Sequence, residues 1–168
     1  VKLHVLLRPR VGDFCYSDYE FQILLEEVRL FKKLGAHGVV IGILKPDGEL
    51  DVERMKLLVD EAQGMSVTLH RAFDMCSMPR VALEEAVQLG VQTILTSGQR
   101  NSALEGADLL ELLVEQAGGR ITIMPGAGVS AAVLPQLVER TGAKAYHMSG
   151  KKTVPGRMVY RQPSVSMG

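Results

Sequence analysis

The sequence is short of cysteine, has no excess charge of either sign, and lacks any long apolar run. Only Cys15 and Cys76 carry thiols in 168 residues. That is too few for a disulfide scaffold, so both are expected as reduced thiols. Basic and acidic residues number 19 each, giving a formal net charge of zero. A neutral balance gives no electrostatic case for nucleic acid as a partner. The one local basic excess, Lys144 to Arg161, reads as a solvated loop or an anion site. No apolar stretch approaches the roughly 20 residues of a transmembrane helix, so no membrane partner is expected. The opening VKLHVLLRPR has a short apolar run with Arg8 and Arg10 directly behind it, which is not a signal-peptide layout. The expected location is cytoplasmic.

Short β-branched runs alternate with longer amphipathic ones. The strand candidates are 3–8, 38–44, 66–72, 91–96, 120–124 and 144–148. The helix candidates are about 18–34, 51–62, 79–89, 103–117 and 130–141. In the first helix Phe21, Leu24, Leu25, Val28 and Phe31 follow helical spacing, after a Ser17-Asp18 cap and before a Gly35 stop. Asp51, Pro79 and Ser130 suit helix starts; Gly90, Gly118 and Gly142 suit stops. With 46% hydrophobic residues, one domain spanning 1–168 has enough apolar side chain for a core. Repeated strand–helix units with no hairpin signal predict a parallel α/β sheet. No GxGxxG follows a strand, which disfavours a doubly wound dinucleotide fold and favours a (β/α)8 TIM barrel. A full barrel needs eight units and about 250 residues. Six strands and five helices leave two open edges, so the expectation is a fragment of a barrel missing an upstream portion, the alternative being that something else covers those edges.

In such a fold the chemistry lies at the C-terminal ends of the strands. Five of the six strand candidates run into polar or glycine-rich residues at that end. The third ends in HRAFDM. Alternation along 66–72 predicts Thr68, His70 and Ala72 facing one way, with Val67, Leu69 and Arg71 facing the other. His70 then points into the barrel mouth. Arg71 needs an acidic partner, and Asp74 is near enough to be one. The triplet reads either as a catalytic group, with His70 as general acid or base, or as an ion pair that locks a loop. Arg8 and Arg10 flank Pro9 and either bind an anion bidentately or pair with Asp13. Thr96 and Ser97 end the fourth strand. Gly126 and Gly128, leading to a helix at Ser130, suit an anion cradle, with His147 at the end of the next strand candidate and Ser149-Gly150-Lys151 following it.

Metal is the other reading. Soft or imidazole groups are Cys15, Cys76, His70, His147, Met75, Met78, Met124 and Met148, but no CxxC, HxxxH or HExxH occurs. Inert buried cysteines and core methionines are the alternative. Ser97 and Ser149 lack the nucleophile-elbow pattern.

The segments RPRVGDFCYSD, LKPDGELDVERM, VTLHRAFDM, ILTSGQRNSALEG, IMPGAGV and HMSGK, in this order, resemble the CutC family of copper homeostasis proteins. The likeness runs from about Leu7 to Ser149 and resumes at SVSMG. It implies a (β/α) barrel without its first two units and without a closing helix, in the cytoplasm or also the nucleus, forming homo-oligomers. It implies copper(I) as ligand, and no established reaction comes with it. The cysteines proposed as copper ligands in the family lie in the upstream strands and have no counterpart here. Cys15 and Cys76 stand where members often carry other residues, which makes them weak metal candidates. The polar rim does match, at Arg8, Asp13, His70, Arg71, Asp74, Thr96, Ser97, Gly126, Gly128 and His147. Its character suits a small anionic ligand, phosphorylated or not, and so a barrel enzyme or former enzyme as the alternative function. The chain departs from the family pattern at Val11 and Ala127, where Gly is common, and at Met148–Lys151.

Overall fold

A computed structural model of the chain describes residues 1–154, 156–160 and 162–164. Arg161, which closes the basic stretch, and Val165–Gly168 of SVSMG lie outside the described residues.

Five strands form one parallel sheet: β1 (His4–Leu6), β2 (Gly38–Ile41), β3 (Ser66–Leu69), β4 (Thr93–Thr96) and β5 (Thr122–Pro125). Their order in the sheet is their order in the chain. A doubly wound sheet reverses its order at a switch point, whereas a barrel wall never does. The arrangement is therefore the wall of a (β/α) barrel. The connecting helices are α1 (Asp18–Lys33), α2 (Val52–Glu61), α3 (Pro79–Gln88), α4 (Ala107–Ala117) and α5 (Leu134–Thr141).

Register explains the two faces of this wall. Ile41, Leu69, Ile94 and Ile123 stand in one row across β2 to β5. All four are buried. They meet the helix layer, where Leu24, Val28, Met55, Leu58, Leu83, Leu110 and Leu113 pack with them. Such rows are non-directional apolar burial, each side chain contributing about 1.5–3 kcal/mol. The neighbouring row is Leu6, Val40, Thr68, Thr93 and Thr122. Only its middle residue, Thr68, is buried. That row lines the concave side.

Helix α1 begins as its sequence requires. Ser17 Oγ accepts from the Glu20 N–H at 3.3 Å, and Glu20 Oε2 accepts from the Ser17 N–H at 2.7 Å. This is a capping box.

Several sequence-based boundaries need correction. Residues 144–148 form no strand; their one ladder bond is His147 N–H to the Pro125 carbonyl, 2.9 Å. Lys144, His147 and Met148 are exposed, and one bond does not fix a strand. Helix α5 begins at Leu134 instead of Ser130. The Ser130 carbonyl instead accepts from Val133 and Leu134 in a turn. Helix α4 begins at Ala107 instead of 103, because Gly106 first passes against Gly98. A Cβ on Gly106 would fall 1.9 Å from the Ser97 carbonyl oxygen, so only glycine allows this crossing. Strand β3 stops at Leu69. A 3-10 turn, Arg71–Met75, takes over, so the alternation predicted through Ala72 fails beyond His70.

Candidate functional site

The 3-10 turn starts because His70 caps it. Its Nδ1 accepts from the Ala72 N–H at 3.1 Å. The His70 N–H still bonds the Ile41 carbonyl at 2.9 Å, so the backbone remains tied to β2. The side chain is only 4% exposed. Gly42 makes room for it: a Cβ there would lie 2.7 Å from the imidazole ring. Phe14 packs on the ring with centroids 5.1 Å apart and planes tilted by 49°. Burial, aided by the nearby Arg8 cation, pushes the imidazole down to about 4. His70 is therefore neutral at pH 7. Since Nδ1 accepts a hydrogen bond, Nε2 carries the proton. Nε2 is buried and has no hydrogen-bond partner among the described residues. In this state His70 offers a donor at Nε2 and no free basic nitrogen.

Arg8 stands beside it. Its guanidinium lies 4.5 Å over the Phe14 ring and donates to the Gly12 carbonyl at 2.6 Å. Arg10 has a different environment. It holds Asp13 at 2.8 Å and Glu20 at 2.6 Å, which raises its own pKa and lowers that of Asp13; Glu20 is lowered first by the Ser17 N–H it accepts from, and also by Arg10. Asp13 also accepts from the Cys15 N–H at 3.1 Å. Of the two arginines predicted to pair with Asp13 or hold an anion, Arg10 takes the carboxylates. Among the described residues, Arg8 has no carboxylate in ion-pair contact.

A second cluster gathers on Asp74, whose side chain is 7% exposed. Oδ2 accepts from Arg71 Nε at 2.7 Å. Oδ1 accepts from Thr96 Oγ1 at 2.5 Å and from the N–H groups of Ser97 and Gln99 at 2.9 and 3.2 Å. Ser97 Oγ accepts from Arg71 Nη2 at 2.9 Å. Its single proton serves either the Arg100 carbonyl, 2.5 Å away, or Asp74 Oδ2, 3.0 Å away. Gln99 is held with φ at +57°, unusual for a residue with a Cβ. Asp74 thus clamps the 3-10 turn to the end of β4.

The remaining predicted residues form a looser third group. The Gly126 N–H is engaged with the Thr96 carbonyl at 2.9 Å. A Cβ on Gly126 would meet His147 at 3.5 Å, so these two are neighbours. Gly128 is exposed at φ +72°, against Ser102 rather than His147. The glycine turn does not run directly into a helix.

The predicted rim therefore divides three ways. Arg71, Asp74, Thr96 and Ser97 come together; Arg8 and His70 meet through Phe14; Gly126 adjoins His147. Sequence reasoning missed Phe14, Gly42 and Gln99. Gly42 had a signal, a lone glycine inside the β-branched run GVVIGIL, which marks close approach of another group.

Beside Phe14 lies a cleft of about 720 Å³, between the loops after β1 and β2 and the end of the 3-10 turn. Cys15 and Met75 both line it. Cys15 is half-buried, and Met75 is 67% exposed. Cys76 is buried elsewhere. Desolvation, with Asp74 adding, pushes its thiol up to about 11, so it stays protonated. Among the described residues no three His, Cys, Asp or Glu side chains gather as a metal-ligand set, and no helix is long and apolar enough to cross a membrane.

The CutC family model matches residues 1–152. A CutC family protein of Parabacteroides distasonis is 45% identical over all of this chain and 69% of its own length. One from Chromobacterium violaceum is 45% identical over all of this chain and 68% of its own length. A solved CutC structure from Streptococcus agalactiae, named for copper homeostasis, gives a TM-score of 0.83 at 33% identity, over 88% of this chain and 72% of that one. QR15, an aldolase, gives 0.63 at 18% identity over 87% of this chain and 67% of its own, a likeness of fold alone. With this wall of β/α units and a family match over most of its length, the chain belongs to the CutC family.

Proposed function

We propose that this protein binds a small anion at the C-terminal face of its sheet, with Arg8 as the charge partner and His70 as a neutral donor. The observation that carries the reading is the unequal treatment of the two arginines flanking Pro9. Arg10 is satisfied by two carboxylates, whereas Arg8 is stacked on Phe14 and, among the described residues, has one carbonyl as hydrogen-bond partner. A guanidinium at a barrel mouth without a carboxylate suits a phosphate or carboxylate of a ligand. His70 supports it as a donor that does not depend on charge. A neutral imidazole that polarises a ligand oxygen is known chemistry, distinct from acid–base exchange. Asp74 and Arg71 are positioning residues here, since both Asp74 oxygens and Arg71 Nε and Nη2 are engaged with each other and with the end of β4.

Titration with inorganic phosphate, followed by amide chemical shifts, tests the reading. Shifts centred on Arg8 to Phe14 that vanish in Arg8→Ala are expected. Identical titrations of wild type and Arg8→Ala would overturn it.

Copper(I) as cargo is the second reading, favoured by the name of the Streptococcus agalactiae relative. It needs soft donors, preferably thiolate. The protonated Cys76 does not fit. Cys15 and Met75, lining one cleft, are the accessible soft pair. This reading expects stoichiometric copper(I) binding, measured by chelator competition, that is lost in Cys15→Ser. Binding that survives this change would place copper elsewhere.

A further inference from the structure

The cleft beside Phe14 has a chemistry the anion reading leaves unused. Its volume, about 720 Å³, is far more than a bare phosphate or carboxylate fills and falls in the range of small-molecule pockets. Phe14, Leu44, Pro46 and Met75 give it apolar walls, and Asp13 and Lys45 stand at its polar rim. Asp13 is engaged by Arg10. Lys45 is held by Glu49 only at 3.4 Å, both side chains being 44% exposed. Met75 leaves two thirds of its surface in solvent, although the 3-10 turn that ends there is clamped by Asp74. A flexible thioether on a fixed support is a common way to line an adaptable apolar site. Arg8 does not itself line this cleft but adjoins it through two residues that do: it donates to the Gly12 carbonyl and lies over the Phe14 ring.

From this juxtaposition of a carboxylate-free guanidinium and an apolar cleft sharing the Phe14 ring, we infer that the ligand is an organic anion with an apolar body, its charged group on Arg8 and its body against Phe14, Leu44, Pro46 and Met75. The inference rests on the anion reading and names its substrate class. Lys45, which also lines the cleft, supplies a second cation for a ligand with another acidic or polar group. Burying an aromatic body of roughly 100 Å² at about 25 cal/mol per Å² corresponds to more than 10-fold in affinity.

The test compares phenyl phosphate with inorganic phosphate on the full chain, in wild type, Met75→Gln and Arg8→Ala. The exposure of Met75 keeps that variant folded. Phenyl phosphate is expected to bind at least about 10-fold tighter than phosphate, with nuclear Overhauser contacts from its ring to the Met75 methyl. Met75→Gln is expected to remove most of that advantage while leaving phosphate binding unchanged, and Arg8→Ala to weaken both. Equal affinities of the two ligands, both weakened by Arg8→Ala, would overturn the apolar-body inference and leave the anion reading standing. No binding of either ligand, or binding indifferent to Arg8→Ala, would overturn the anion reading and this inference with it.

Discussion

Two polar clusters at the same end of the sheet differ in how completely they are bonded. Around Asp74 nearly every donor has an acceptor: Arg71, Thr96, Ser97 and Gln99 all converge on one carboxylate. Around Phe14, in the loop after β1, the bonding is incomplete. Arg8 lacks a carboxylate, and His70 Nε2 is buried with no partner among the described residues. A saturated buried network fixes a local structure. An unsatisfied buried donor costs about 1–3 kcal/mol and calls for a functional explanation. On the function proposed above, the first cluster is architecture and the second is where the ligand would bind.

The contrast is most severely tested at Asp74. Asp74→Ala leaves the Ser97 and Gln99 N–H groups, Thr96 Oγ1 and the Arg71 guanidinium without their acceptor. A loss of about 3–5 kcal/mol is expected in urea unfolding, at the upper end for single substitutions. A loss under about 1 kcal/mol would mean that the cluster is not a clamp.

The next effect concerns pH. The unfolded His70 takes a proton near 6.5, whereas the folded one resists it until about 4. Its contribution is intact above pH 6.5 and declines as pH falls from there toward 4. Over that window the loss amounts to about 3 kcal/mol. Unfolding midpoints of wild type and His70→Gln, measured from pH 7.5 to 4.5, should converge as the pH falls. Parallel curves would assign the pH dependence to other groups.

Gly42→Ala follows, with about 1–3 kcal/mol expected from the clash with the His70 ring. Relative to His70→Ser alone, adding Gly42→Ala should cost much less than it does in wild type, because the ring it clashes with is gone. An equal cost in both backgrounds would mean that the clash is with some other group. The smallest stability effect is expected at Arg8→Ala: no resolvable change in urea midpoint, together with lost phosphate binding. A large stability loss would make Arg8 part of the frame.

Much of this arrangement was legible in the sequence. Periodicity revealed the parallel wall, its five formed strands and the Ser17 cap, because burial rows and capping are local and periodic. The Arg71–Asp74 pair was legible too, since a guanidinium near buried strands needs an acid within reach. Other features depend on distant segments. Nothing local says that Phe14 will fold over His70, or that Asp74 will reach Ser97 and Gln99 across 23 and 25 residues. The late starts of α4 and α5 depend on tertiary contacts, the Gly98–Gly106 crossing and the Ser130 turn. Strand propensity in KAYHM was real, but a strand needs a ladder, and this run makes one bond to β5. The imidazole's drop from its ordinary value comes from burial under Phe14, which composition does not show.

The most direct test is a phenyl phosphate titration of the uniformly ¹⁵N-labelled chain, following backbone amides and the His70 imidazole nitrogens at pH 7. His70 is expected as the neutral Nε2–H tautomer, with Nε2 and the Arg8–Cys15 amides shifting together while the Ser97 and Gln99 amides stay still. Shifts concentrated at Ser97 and Gln99, with His70 and Arg8–Cys15 unmoved, would contradict it and place the ligand at the cluster taken here as architecture.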